Sequence, residues 1–237
     1  MGIVWKLAGT DYETVGLTAD NAFAGIFLAV GAAALFIALT TSYLGWWSPA
    51  LREAPSGPRW LLILPILIFV SALGTLLSKG FTGIEAKLAL TLALGTLFVG
   101  FGEEMTTRGV GVVALRGGMG EVGVWFVSSL LFGLLHSMNV LFGQSVTATV
   151  GQIGFAFVMG SVLYLIRRVT GALVVCMLLH AFWDFSTFMA GASTGDANPL
   201  ALLAFFQYLA VLIAVVGLVM VLRKGRVTAG SRTAVAN

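Results

Sequence analysis

Charge is what this chain has least of. Only 10% of its 237 residues are Asp, Glu, Lys or Arg, and 59% are hydrophobic. A soluble domain averages about 25% charged, so a water-soluble globule is excluded. The long apolar runs predict a polytopic membrane protein instead. Cysteine is nearly absent as well. Cys176 stands alone, which excludes an intrachain disulfide and any Cys-rich metal cluster. No basic stretch leads into the first apolar run. Asp11, Glu13 and Asp20 precede it, and this does not read as a cleavable signal peptide. The net charge of +3 does not point to nucleic acid, because the basic residues sit in loops and the tail, as orientation signals do. The HExxH helix of zincins is missing. So are the GxSG of a rhomboid-type serine protease and the first glycine of a GxGD motif ahead of Asp196.

What is present is a series of apolar segments, near 22–44, 60–78, 88–108, 122–142, 146–166, 171–190 and 199–222. Each is long enough to cross ~30 Å of hydrocarbon at 1.5 Å per residue. The expected fold is an all-α, polytopic membrane bundle of about seven transmembrane helices. Room is left for an eighth, in-plane or half-spanning segment at 1–20 or 109–121. Pro65 is expected to kink the second helix. Residues 1–20 read as an interfacial segment, 21–222 as the membrane domain and 223–237 as a basic tail. With the C-terminus in the cytoplasm and the N-terminus outside, Arg52, Arg59, Arg108, Arg116, Arg167, Arg168, Arg223, Lys224, Arg226 and Arg232 fall inside, and Lys6, Lys79 and Lys87 outside. Ten against three fits the positive-inside rule.

Few strongly polar side chains fall within these segments. They are Glu103, Glu104 and Arg108 in the third, His136 in the fourth, His180 and Asp184 in the sixth, and Gln152 and Gln207 in the fifth and seventh. Ionisable groups at bilayer depth are costly and functional by default. Both histidines of the chain are among them, and histidine is the usual general acid or base. Glu104 and Arg108 are i, i+4, so they share a helix face and can pair. Glu103 is turned ~100° away and is free to act elsewhere. His180 and Asp184 also share a face. Cys176, His180 and Asp184 stack at i, i+4, i+8, but a thiol one turn away on the same helix is poorly placed for in-line attack, so Cys176 reads as packing. Gln152 and Gln207 read as interhelical hydrogen-bond partners. Glu103 lies ~24 Å along the helix from Lys87. That places it towards the cytoplasmic flank, with a cavity expected to open to the cytoplasm.

Glu103-Glu104-x-x-x-Arg108-Gly109, then Phe132-x-x-x-His136, then His180-x-x-x-Asp184 resembles the three-motif signature of the CPBP family, which comprises the CAAX prenyl proteases and the bacteriocin-immunity (Abi) proteins. The resemblance implies an intramembrane endopeptidase. It implies that Glu103 and His136 activate water, and that His180 and its i+4 partner stabilise the oxyanion. Many members carry Asn where this chain has Asp184. An ionised carboxylate cannot donate a hydrogen bond, so the role of Asp184 stays divided between the oxyanion and orienting His180. Glu104 and Arg108 are read as a supporting pair.

No acyl-enzyme is required, and no cofactor is favoured. Zn²⁺ is the alternative, and would take Glu103, His136 and His180. Expected partners are membrane lipid and a peptide or lipidated-protein substrate; the residues specify neither the substrate nor an oligomeric state. Two other functions fit the same residues: a proton- or ion-coupled transporter, and a catalytically inactive immunity or scaffold protein.

Overall fold

The computed structural model describes residues 9 and 11–233, with side chains through residue 223. Lys6 lies outside the described residues, as do the side chains of Lys224, Arg226 and Arg232. Among the described residues, seven helices are long and apolar enough to cross a membrane: α1 Ala19–Leu44, α2 Arg59–Leu77, α3 Ala86–Arg116, α4 Glu121–Phe142, α5 Val146–Thr170, α6 Leu173–Ala192 and α7 Pro199–Arg223. No strand occurs among the described residues; one isolated bridge joins Arg52 and Ala172. The protein is an all-helical, multi-pass membrane protein. Large apolar side chains such as Phe36, Leu39 and Leu212 remain on the outside, where lipid rather than water is their solvent.

Two local expectations are corrected. Pro65 does not kink a helix interior. The segment starts as a 3-10 turn at Arg59–Leu62 and becomes α-helical at Ile63, so Pro65 sits in the first α turn, where its missing N–H is tolerated. The third helix does not end at Arg108 either. It passes through a π turn at Met105–Val110 and continues to Arg116, so 109–121 holds no separate half-span. Glu103 therefore has ~26 Å of helix before it and ~20 Å after it, a mid-span position.

The hairpin order gives the bundle two chemically different ends. At one end, Asp20 pairs with Lys87, and Ser193 and Asn198 donate to the carbonyls of Lys79 and Leu77. At the other, Arg116 pairs with Glu53 and Glu121, and Arg168 with both. Tyr164 donates to Glu121 there. Helices α3 and α6 pack side by side, as do α4 and α5, and the site lies between these pairs.

Candidate active site

Gly100 sets the spacing of α3 and α6. A Cβ at this position would lie 2.3 Å from the Met177 carbonyl oxygen and 2.9 Å from the Ala181 nitrogen, so the two backbones touch there. Small residues allow this approach inside membranes. One turn beyond Gly100 is Glu104, and between Met177 and Ala181 is His180. The close crossing places Glu104 Oε1 3.1 Å from His180 Nδ1. A carboxylate paired with a cation can only accept, so Nδ1 donates. The same Oε1 accepts from Arg108 Nη1 at 2.9 Å, which confirms the i, i+4 pair.

Glu104 and Arg108 are fully buried. Unpaired, either would carry a large desolvation cost; here each has a partner within hydrogen-bond distance. Arg108 Nη1 also donates to Thr107 Oγ1 at 2.8 Å, and its guanidinium carbon lies 3.9 Å over the Phe132 ring. Room for this guanidinium comes from Gly160, where a Cβ would fall 2.7 Å from Arg108 Nη2. The π turn spans this same stretch, and such turns are frequent at functional sites.

Glu103 points elsewhere, as the ~100° offset requires. Its side chain is 24% exposed, and its Oε2 lies 4.0 Å from His180 Nε2 with no hydrogen-bond partner among the described residues. Asp184 Oδ2 lies 3.5 Å from the same Nε2. Both ring nitrogens of His180 thus face carboxylate oxygens. His136 opens the 3-10 turn that closes α4. Its Nδ1 lies 3.1 Å from the Phe132 carbonyl oxygen and must donate to it, which leaves Nε2 to face the cavity. Phe132 meets both histidines edge-on, at 5.5 Å from His136 and 5.3 Å from His180.

Glu103, His136, His180 and Asp184 line one cavity of about 310 Å³. Glu104 and Arg108 stand behind it and hold His180. Cys176 is absent from the lining; its thiol donates to the Leu163 carbonyl at 3.3 Å, so the i, i+4, i+8 stack forms no triad. Gln152 is an interhelical partner: it accepts from Asn139 at 3.0 Å and donates to Tyr12 Oη at 2.8 Å. Tyr12 also lines the cavity, and burial raises its phenol pKa above the usual value. Nothing in the sequence marks that tyrosine, and Thr107 is equally unmarked. The direction of the cavity is a correction. It runs from His180 towards Tyr12, Asn139 and Thr187, the end opposite the Arg116 cluster, and not towards the C-terminal end as expected.

Among the described residues no three His, Cys, Asp or Glu side chains are arranged to hold a metal ion. In the suggested set of Glu103, His136 and His180, each histidine has Nδ1 engaged and His180 Nε2 faces Asp184.

No curated protein and no solved structure matches the chain. One family does match, over a stretch that holds all six candidate side chains. Residues 85–186 match the Rce1-like family model, described as Type II CAAX prenyl endopeptidase Rce1-like, in keeping with the resemblance that the three motifs carry.

Proposed function

We propose that this protein is an intramembrane endopeptidase that hydrolyses an internal peptide bond with water activated by Glu103 and His136. The observation that carries the reading is the convergence of Glu103, His136, His180 and Asp184 on one cavity inside a membrane bundle. The match to a CAAX endopeptidase family supports it. The catalytic unit is the helical region 21–222, flanked by the interfacial segment 1–20 and the basic tail. Lipid and a membrane-associated peptide are its partners.

In this mechanism Glu103 takes a proton from water as the oxygen adds to the scissile carbonyl carbon. The resulting oxyanion lies near His180 Nε2, which donates to it when the imidazole carries both protons, and Glu104 fixes the ring by accepting from the opposite nitrogen. Breaking the C–N bond transfers the proton to the leaving amine, through Glu103 or His136, and releases an acid and an amine. Asp184 keeps His180 in register. No metal and no acyl-enzyme take part in these steps. The C-terminus is cytoplasmic and the N-terminus external, on the distribution of basic residues.

The test is proteolysis of membrane-anchored peptides in liposomes by wild type, Glu103→Ala and His136→Ala. Both variants are expected to lose cleavage. Wild-type cleavage by Glu103→Ala would sink the mechanism. Cleavage that disappears on stringent chelation and returns with Zn²⁺ would replace it with a metal-dependent one.

A further inference from the structure

The structure assigns Glu53 as a positioning residue. It holds the short helix Trp47–Leu51 as a brace along the stretch of α3 that carries Glu103, Glu104 and Arg108. The inference rests on the protease reading above and extends the site to a segment ahead of the family-matched residues 85–186.

The brace is a helix of five residues, too short to persist on its own. Its contacts fall on both sides of the glutamate pair. The Trp47 ring lies 6.3 Å from the ring of Phe101, two residues ahead of Glu103. Ala50 is fully buried and meets Gly109, the residue after Arg108. A Cβ on Gly109 would lie 3.6 Å from the Cβ of Ala50. Met105 and Leu173 pack into the same core as Ala50. The π turn Met105–Val110 therefore has the brace along one side.

Arginines from the ends of two other helices hold the brace there. Glu53 stands two residues beyond it. Its Oε2 accepts from Arg116 Nη1, at the end of α3, at 2.5 Å, and lies 3.5 Å from Arg167 Nε in the last turn of α5. Its Oε1 lies 3.6 Å from Arg168 Nη1. Arg116 and Arg168 also pair with Glu121. Arg167 is different: it is 1% exposed, and among the described residues Glu53 is its one carboxylate partner. Its Nη2 donates to the Pro49 carbonyl, inside the brace, at 3.1 Å. The backbone follows the same line. The Glu53 N–H donates to the Gly171 carbonyl at 3.0 Å, and the Ser56 N–H to that of Arg168 at 2.6 Å. Gly171 has φ +70°, and a Cβ there would lie 2.4 Å from the Glu53 carbonyl oxygen.

A buried arginine must keep a carboxylate. The end of α5 thus fixes Glu53 and Pro49, and with them the helix that lies against Phe101 and Gly109. Glu53 touches no reacting group. It acts through Trp47 and Ala50 on the backbone that aims Glu103 into the cavity and Glu104 at His180. Chemistry is sensitive to such placement, since a shift of about 1 Å can cost about 10²-fold in rate.

The test is cleavage of membrane-anchored peptides in liposomes, well below the thermal midpoint of each variant. Glu53→Gln keeps the side chain's shape and removes its charge. Its kcat is expected to fall on the order of tenfold, the scale of a sub-ångström misplacement, with KM unchanged, as for a loss confined to the transition state. Trp47→Leu leaves the arginine cluster intact and is expected to show the same split; it keeps the test open should Glu53→Gln fail to fold. Restoration separates positioning from charge. In a Cys176→Ser background, Arg52→Cys and Ala172→Cys face each other across an isolated antiparallel bridge. Cα atoms so paired lie about 4.5–5.5 Å apart, within reach of a disulfide. Glu53→Gln carrying this pair is expected to regain wild-type kcat when oxidised and to lose it when reduced. Wild-type kcat in either folded variant, a change in KM alone, or a loss that the disulfide does not restore overturns the inference and leaves the protease reading intact. Absence of cleavage by wild type overturns the protease reading, and the inference with it.

Discussion

Glu104 Oε1 lies 2.9 Å from Arg108 Nη1 and 3.1 Å from His180 Nδ1. One buried oxygen therefore joins the i, i+4 pair of α3 to the histidine of α6. The carboxylate pair at 103 and 104 divides its work by this contact: Glu104 fixes the frame, and Glu103, one residue earlier, faces the cavity.

Different losses are expected from the two glutamates. Glu104→Ala leaves Arg108 buried without its carboxylate, and removing one member of a buried pair costs about 3–5 kcal/mol. Its thermal midpoint in detergent should fall sharply, with activity lost as a consequence. Glu103→Gln keeps the length and shape of the side chain, and its Oε2 has no hydrogen-bond partner among the described residues to lose. It should unfold like wild type and still fail to cleave. Equal destabilisation of the two variants would contradict this division.

Neighbouring glycines on α3 should respond in opposite ways. Gly100→Ala forces a methyl to within 2.3 Å of the Met177 carbonyl oxygen. Backbone cannot yield cheaply, and overpacking costs about 1–3 kcal/mol; the Glu104–His180 contact should open and cleavage fall. At Gly102 the nearest atom to an added Cβ is 3.6 Å away, on Ala34, an ordinary contact. Gly102→Ala should keep wild-type stability and activity. Thermal midpoints and cleavage rates of the pair decide the matter.

How far these relationships are visible in the sequence depends on their range. The seven crossings are legible because hydrocarbon thickness imposes a length and a composition on each. The Glu104–Arg108 pair is legible because 3.6-residue periodicity fixes which positions share a face. The Glu104–His180 contact spans 76 residues and depends on Gly100 letting two backbones meet, and no local pattern carries that. The stretch Thr106-Thr107-Arg108-Gly109 reads as a helix end by composition, whereas the π turn carries the helix through it. The direction of the cavity is set by packing below His180, which hydropathy does not report.

Cys176 should prove dispensable for chemistry. Its thiol is buried against the Leu163 carbonyl on α5, so Cys176→Ser retains a donor of similar size at that point. Cleavage is expected at near wild-type rate and without sensitivity to thiol reagents. Loss of activity with an unchanged thermal midpoint would revive a cysteine nucleophile.

Tyr12 links stability to alkaline pH. Burial raises its pKa above the ordinary value near 10 in the folded protein, so the folded state resists ionisation that the unfolded chain accepts. Stability is unaffected below that ordinary value and falls as pH rises above it, because ionisation then favours unfolding. Tyr12→Phe should flatten the alkaline limb of the thermal midpoint against pH. At neutral pH it should cost about 0.5–1.5 kcal/mol for the lost Gln152 bond. An alkaline limb identical in both proteins would exclude Tyr12 as its origin.

Phe132 supports the site through its ring. Arg108 lies 3.9 Å over its face, and both histidines stand nearly perpendicular to it in T-shaped contact. The ring's negative face attracts the guanidinium, an interaction worth about 2 kcal/mol when desolvated. Leucine fills comparable apolar space but offers no such face. In Phe132→Leu, Arg108 keeps Glu104 but loses the surface that fixes its plane, and the two histidines lose the aromatic ring that both contact. Cleavage should fall on the order of tenfold, equivalent to about 1.4 kcal/mol of barrier, while the seven-helix bundle still folds. Circular dichroism and thermal midpoints would separate this from unfolding. Unchanged turnover in a folded Phe132→Leu would show that the Glu104 contact alone holds Arg108 and His180.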